Sequence, residues 1–276
     1  MSVRPALTYM GSKWRIAPWV CSFFPRHKFY VEPFGGSAAV LLEKKPSPRE
    51  VYNDLNGDVA NFFRVLRDED SAAELIRRLR LTPYSRAEYD SAWRKKESDG
   101  IERARALAVR SWFSFGARGA TATRPPGFNR GRRSLRGDVA SNFSSWVESL
   151  DAIARRMRGV VVDCADALEV MQFWDSSDTL HYCDPPYNCD YAGDYVADVG
   201  QEALLDKLKA LEGFVVLSGY DNELYHAQLA GWHVEACNAI AFMSKRAVEC
   251  LWLSPRTWDA LKKERNRVPL SLLRLS

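Results

Sequence analysis

The residues best suited to chemistry are Asp184-Pro185-Pro186-Tyr187, which follow the short apolar run Thr179-Leu180-His181-Tyr182-Cys183. That run is rich in β-forming residues and too short for a helix. It reads as a buried strand that delivers Asp184 to a sheet edge, where open α/β sheets bind ligands. Pro186 has no backbone donor and pushes Pro185 towards an extended conformation, which sets the Pro185 carbonyl beside the Asp184 carboxylate. Two acceptors then face one small volume. An amino group conjugated to an aromatic ring is a poor nucleophile, because its lone pair is delocalised. Acceptors that hold its hydrogens out of the ring plane localise that lone pair, and a fixed anion meets the positive charge that develops. Tyr187 offers a flat face for stacking the same ring. The plainer alternative is a Pro-Pro turn after a strand, with Asp as a turn residue.

The elements that must position these residues alternate strand and helix. Lys28 to Glu32 alternates into a strand, followed by Pro33-Phe34-Gly35-Gly36-Ser37 and an apolar helix from Ala38 to Glu43. Glycines let the backbone approach a ligand closely, and Ser37 is placed to cap the helix. The full GxGxxG phosphate fingerprint is absent, which fits a nucleoside without pyrophosphate; a plain strand-to-helix turn is the alternative. A second strand, Glu50-Val51-Tyr52, ends in Asn53-Asp54, and Asp54 stands where an acid can accept hydrogen bonds from ribose hydroxyls. A helix cap there is better supplied by Asn56 or Asp58. Upstream, Tyr9-Met10-Gly11-Ser12-Lys13 precedes a helix candidate from Trp14 to Phe24, which reads either as an anion-welcoming helix start or as simple capping. Gly159 to Asp163 returns to strand, and Asp166 either caps the following helix, Ala167 to Phe173, or accepts from an exocyclic amine.

Between residues 58 and 157 the periodicity becomes helical, as in Phe62-Phe63-Leu66, Ala72-Leu75-Ile76-Leu79 and Leu107-Val109-Trp112-Phe113. An all-α insert over 58–157 therefore interrupts a catalytic α/β domain made of 1–57 and 158–276. Within the insert, residues 116–137 are rich in Gly, Pro, Thr and Arg and have no apolar period, so they predict a long exposed loop. From Arg103 to Arg136 there are nine arginines and no acid, a stretch of +9 that leaves −5 for the rest of a chain of formal net charge +4. Arg118, Arg124, Arg130, Arg132, Arg133 and Arg136 surround Phe128. Arginines pair with phosphates or guanine edges and an aromatic can wedge into a base step, so a nucleic-acid surface is expected here rather than a solvated charge run.

With 276 residues and 46% hydrophobic content the chain can bury a full core. No apolar run approaches a membrane span, and Met1 to Pro5 lacks a signal-peptide stretch, so a cytoplasmic protein with no membrane association is expected. Six cysteines, at 21, 164, 183, 189, 237 and 250, form no CxxC or Cys/His ligand pattern and read as scattered core thiols, Cys183 included. Beyond a polar, lid-like stretch from Asn188 to Val199, a helix from Gln201, a strand at Phe214 to Leu217, a helix from Glu223, strands at Trp232 to Ala236 and Ala247 to Leu253, and a charged helix from Arg256 complete the chain.

In this order, Tyr9-x-Gly11-Ser12-Lys13, Glu32-Pro33-Phe34-Gly35-Gly36-Ser37, Asn53-Asp54 and Asp184-Pro185-Pro186-Tyr187 resemble the Dam-type DNA adenine methyltransferases. Leu217-Ser218-Gly219-Tyr220 and Glu249-Cys250-Leu251-Trp252-Leu253 look like the phage and prophage members of that class. The resemblance implies a Rossmann-like, S-adenosylmethionine-dependent methyltransferase sheet with an inserted all-α target-recognition subdomain. It implies a cofactor pocket of Tyr9, Lys13, Glu32 to Ser37, Asp54, Asp166 and Asp184, with Asp166 near the adenine ring of the cofactor. A double-stranded DNA substrate is implied too, with its adenine extruded into a pocket of Asp184, Pro185 and Tyr187 for direct in-line transfer without metal or covalent intermediate. Gly200-Gln201 stands where relatives often carry an acidic-His pair, and Thr8 where some carry a base-contacting lysine, so neither role is carried over. Rival expectations are methylation of the cytosine amino group or of an RNA base, and a non-catalytic DNA-binding protein of the same fold. The target sequence, the oligomeric state and service in restriction, repair or phage defence are left open.

Overall fold

The computed structural model describes residues 5–94, 99–131, 138–186, 200–240 and 246–267. Its centre is a seven-stranded sheet of β1 (Phe29–Glu32), β2 (Arg49–Asn53), β3 (Val160–Asp163), β4 (Thr179–Cys183), β5 (Phe214–Gly219), β6 (His233–Ile240) and β7 (Arg246–Leu253), in the order β3-β2-β1-β4-β5-β7-β6. The first five in that order run parallel, while β7 lies antiparallel between β5 and β6. Parallel strands need crossovers and are covered on both faces, which is why every position of β4 is buried. Side chains alternate across the sheet. Tyr30, Tyr52, Leu180 and Tyr182 face one apolar cluster, whereas Val31 and Val51 pack with Val170, and Cys183, Val215 and Leu217 with Met171 and Leu205, in others.

The crossovers are α2 (Ala39–Glu43) from β1 to β2, α8 (Ala167–Trp174) from β3 to β4 and α9 (Gln201–Ala210) from β4 to β5; α1 (Ala17–Cys21) precedes the sheet, α10 (Glu223–Gln228) links β5 to β6, and α11 (Pro255–Arg267) follows β7. Between β2 and β3 come α3 (Gly57–Arg67), α4 (Glu69–Arg80), α5 (Arg86–Arg94), α6 (Gly100–Phe113) and α7 (Val139–Met157). Four of these begin on a side-chain cap, from Asn56, Asp68, Asp99 and Asp138, each accepting from backbone N–H groups of the first turn. The apolar stripe of α3 joins the sheet directly: Tyr52 and Phe63 have ring centroids 4.5 Å apart, and Val59, Phe62 and Leu66 share one cluster with Tyr30 and Leu180.

Two local expectations differ. The helix expected over Trp14 to Phe24 spans only Ala17–Cys21, because Gly11 takes a left-handed φ of 78° and the chain turns at Tyr9–Ser12 and Lys13–Ile16 before Pro18 opens the helix. Ser37 does not cap α2. The cap position is Ala38, itself at φ 55° and without a side-chain bond, and the Ser37 hydroxyl instead meets that of Ser12 at 2.7 Å. No helix among the described residues is long and apolar enough to cross a membrane.

Candidate active site

The neighbouring order β2-β1-β4 and the registers Glu32↔Tyr52 and Val31↔His181 bring the C-terminal ends of three parallel strands to one edge. Chain connections leave β1 and β4 in opposite directions there, the place where doubly wound sheets open a crevice. An open cleft of about 1020 Å³ occupies it. Tyr9, Lys13, Glu32, Pro33, Phe34, Gly35, Gly36, Ser37, Asp54, Asp166, Asp184, Pro185 and Pro186 all line this cleft. Tyr187 lies outside the described residues.

The glycine turn is shaped by contact. A Cβ on Gly35 would stand 2.0 Å from the Tyr52 ring, and Gly36 sits at φ +50° against the Tyr9 ring. The Tyr52 hydroxyl donates to the Gly36 carbonyl at 2.8 Å, and the Gly36 N–H donates to Asp54 Oδ2 at 2.9 Å. Asp54 also accepts from the Asn56 N–H at 2.8 Å; burial pushes its carboxyl up to about 6 despite those two donors. Burial likewise raises Glu32 to about 8; the Tyr30 hydroxyl, which donates to it at 2.7 Å, pulls the other way, and the Asp184 charge pushes it further up. Asn53 fastens the strand ends together, donating to the carbonyls of Pro33 and Ala165 at 3.0 Å each and accepting from the Ala165 N–H at 2.9 Å. Asp166 caps α8 through Leu168 and Glu169, and it also lines the cleft.

Lys13 stands four residues before α1, not at its start, and its ammonium is held by protein acceptors. Its side chain is 6% exposed, and its ammonium lies 2.7 Å from Asp184 Oδ1 and 3.5 Å from Glu249 Oε1 and donates to the Gly11 carbonyl at 3.1 Å. Burial would favour the neutral amine, but the two carboxylates outweigh it and hold Lys13 above its ordinary value. Nothing in the local sequence around Glu249 signals this contact, which depends on β7 lying beside β5.

The basic stretch divides in two. Arg103 and Arg110 on α6 pair with Asp58 at 3.0 and 2.7 Å, and Arg105 pairs with Glu88 and Glu102, so these three meet acids from outside the stretch. The charge segregation seen along the chain is thus partly undone in three dimensions. Arg124 and Arg130 are exposed and Arg118 half-buried, while Arg132, Arg133 and Arg136 lie outside the described residues. The loop is less open than its composition predicts. Phe115 N–H donates to Gly127 O and Asn129 N–H to Phe113 O, a Cβ on Gly119 would strike the Arg110 carbonyl at 1.8 Å, and Thr121 is buried into the cleft wall. Phe128, expected as a wedge, packs at 5.4 to 5.7 Å from the rings of Tyr84 and Tyr89 and lies under Arg86. A wedge role would require that ring to leave its neighbours. The aromatic presented to solvent beside this segment is Phe115, the residue just before it, 57% exposed. Sequence reasoning gave no site role to Phe115, Thr121, Tyr52, Asn53 or Glu249, although Asn53 and Glu249 stand in stretches that carry the resemblance.

Among the described residues no group of three His, Cys, Asp or Glu side chains could hold a metal ion. None of the curated proteins matches the chain. A profile of the D12 class N6 adenine-specific DNA methyltransferases matches residues 9–207, a span that contains the glycine turn, the five helices between β2 and β3, and Asp184-Pro185-Pro186. The match covers most of the chain, which belongs to the D12 class N6 adenine-specific DNA methyltransferase family.

Proposed function

We propose that this adenine-specific DNA methyltransferase takes its methyl group from S-adenosylmethionine and delivers it directly to N6 of an adenine extruded from double-stranded DNA, in a Dam-type arrangement. The observation that carries the reading is that one cleft is lined both by the glycine turn with Asp54 and by Asp184-Pro185-Pro186. The residues present suit the donor. Gly35 and Gly36 line the cleft and let the turn pack against the Tyr52 and Tyr9 rings, Asp54 offers carboxylate oxygens to ribose hydroxyls, Asp166 lies at the wall after β3, and Glu32 is a buried acid for a cationic group. When bound, S-adenosylmethionine would supply a methyl on a sulfonium; the amine lone pair would form the new N–C bond, sulfur would keep the pair of the broken bond, and the surplus amino proton would pass to solvent water.

Asp184 and the Pro185 carbonyl serve as the acceptors that draw the amino hydrogens out of the ring plane and face the cationic nitrogen. Tyr182 and the glycine turn line the same cleft, and an amine held within a stacked duplex cannot reach it, which is why extrusion is needed. Positioning then supplies much of the rate. The helices over 58–157 form the target-recognition part, with Arg118, Arg124 and Arg130, and Arg132, Arg133 and Arg136 beyond the described residues, supplying phosphate or base contacts. Thr121 supports this, since the same loop reaches the cleft wall. The test is to incubate the protein with duplex DNA and S-adenosylmethionine, digest the product to nucleosides and weigh them. N6-methyladenine is expected; methylcytosine alone, or no transfer, overturns the proposal.

A further inference from the structure

Behind Asp184 stands a second acid that does not line the cleft. Glu249 is on β7, whose antiparallel register sets Cys250 opposite Gly219 and Leu251 opposite Ser218. Its side chain is buried, accepts from the Ser218 hydroxyl at 2.9 Å, and lies 3.5 Å from the Lys13 ammonium that donates to Asp184. Lys13 is therefore shared between two carboxylates. A glutamine at 249 would satisfy the Ser218 hydroxyl equally well and avoid the cost of burying a charge, so the hydrogen bond alone does not account for an acid there.

We infer that Glu249 is a positioning residue for methyl transfer, acting through Lys13 to hold the Asp184 carboxylate in place at the cleft. The inference rests on the function proposed above. As the nitrogen takes the methyl it becomes cationic, so the rate depends on where the Asp184 carboxylate is held. The shared lysine also fixes Asp184: its ammonium is tied at once to the Gly11 carbonyl, to Asp184 and towards Glu249, so the carboxylate cannot swing from the cleft without breaking a buried ion pair.

The test compares Glu249→Gln, Glu249→Asp, Lys13→Met and the Lys13→Met/Glu249→Gln double variant by methyl transfer to duplex DNA, with wild type alongside. Glu249→Gln lowers kcat about 10- to 100-fold while KM for DNA and for S-adenosylmethionine moves less than about threefold, the mark of an interaction used in the transition state. Glu249→Asp keeps the charge but draws it back, and recovers part of the loss. In the Lys13→Met background the Glu249→Gln change costs less than about threefold, since the residue it acts through is gone. An equal loss in both backgrounds, a loss in KM alone, or a drop in Tm at unchanged kcat overturns the inference. Should Glu249→Gln fail to fold, Glu249→Asp decides: kcat unchanged from wild type overturns the inference, and an intermediate kcat at unchanged KM supports it. Wild-type protein that transfers no methyl to adenine sinks the proposed function and this inference together, whereas wild-type turnover with an undiminished Glu249→Gln variant sinks this one only.

Discussion

The backbone N–H of Gly36 donates to Oδ2 of Asp54 at 2.9 Å, so the turn after β1 and the acid after β2 are one unit. Burial holds the Asp54 carboxyl at about 6 instead of its ordinary 3.8. The folded chain therefore binds an extra proton between those values, and Asp54 makes stability fall, not rise, as the pH climbs from about 4 to 6. Only the ionised acid accepts through both oxygens. Affinity for S-adenosylmethionine, measured calorimetrically, should rise as the pH passes through about 6, and Asp54→Asn should flatten that limb. A second limb near 8 belongs to Glu32, raised there chiefly by burial, and Glu32→Gln should remove it alone. A binding profile that is level from pH 5 to 9 contradicts both assignments.

Gly35 and Tyr52 set a steric limit on the same turn. A methyl at 35 would lie 2.0 Å from the Tyr52 ring, which is wholly buried and cannot yield, whereas a methyl at Gly57 meets nothing within 4 Å. Gly35→Ala is expected to destabilise by about 1–3 kcal/mol, as overpacked sites do, and to weaken cofactor binding, because the turn must move. Gly57→Ala should leave both nearly unchanged. Equal Tm values for the two variants would show that the turn relaxes freely.

The sheet was legible in the sequence because its strands are short β-rich runs ended by Gly, Pro, Asn or Asp, and Thr179–Cys183 falls on the expected residues. So were the glycine turn and the two acids, since close approach and a strand-end carboxylate leave local marks. The α1 region was not, as its apolar run resembles a longer helix until the left-handed Gly11 and the pull of Lys13 towards Asp184, 171 positions away, are seen. The fate of the arginines was equally hidden. Asp58 lies outside the basic stretch in sequence and beside Arg103 and Arg110 in space, which charge counting along a chain cannot register.

That division predicts two kinds of arginine variant. Arg124 and Arg130 are exposed, so Arg124→Ala with Arg130→Ala should weaken DNA binding and reduce the slope of log K against log salt by up to about 0.9 for each phosphate no longer neutralised. Arg110 pairs with Asp58, whose carboxyl is raised by burial but drawn lower overall by the bonds from Arg110 and Arg103. Arg110→Ala should lower Tm and leave the salt slope as it was. A common salt slope for both variants and wild type would remove the loop from the DNA interface.

Asp184 separates binding from chemistry. It sits at the cleft wall, held by Lys13, and the arginines expected to meet DNA lie on another element, so its loss should affect the step and not the complex. Asp184→Asn keeps an acceptor oxygen of the same size but removes the charge that meets the cationic nitrogen, and kcat should fall by about 10²–10³, the scale of losing one preorganised electrostatic partner. Asp184→Ala removes the acceptor as well and also leaves the buried Lys13 ammonium with Glu249 as its remaining carboxylate, so it should fall further and lose some Tm. Both variants should bind duplex DNA within about threefold of wild type in a gel-shift titration, because steps that act only in the transition state leave ground-state affinity alone. If Asp184→Asn turns over at the wild-type rate, the carboxylate is a scaffold for Lys13 and the acceptor at the amine must be sought elsewhere along Pro185 and Pro186.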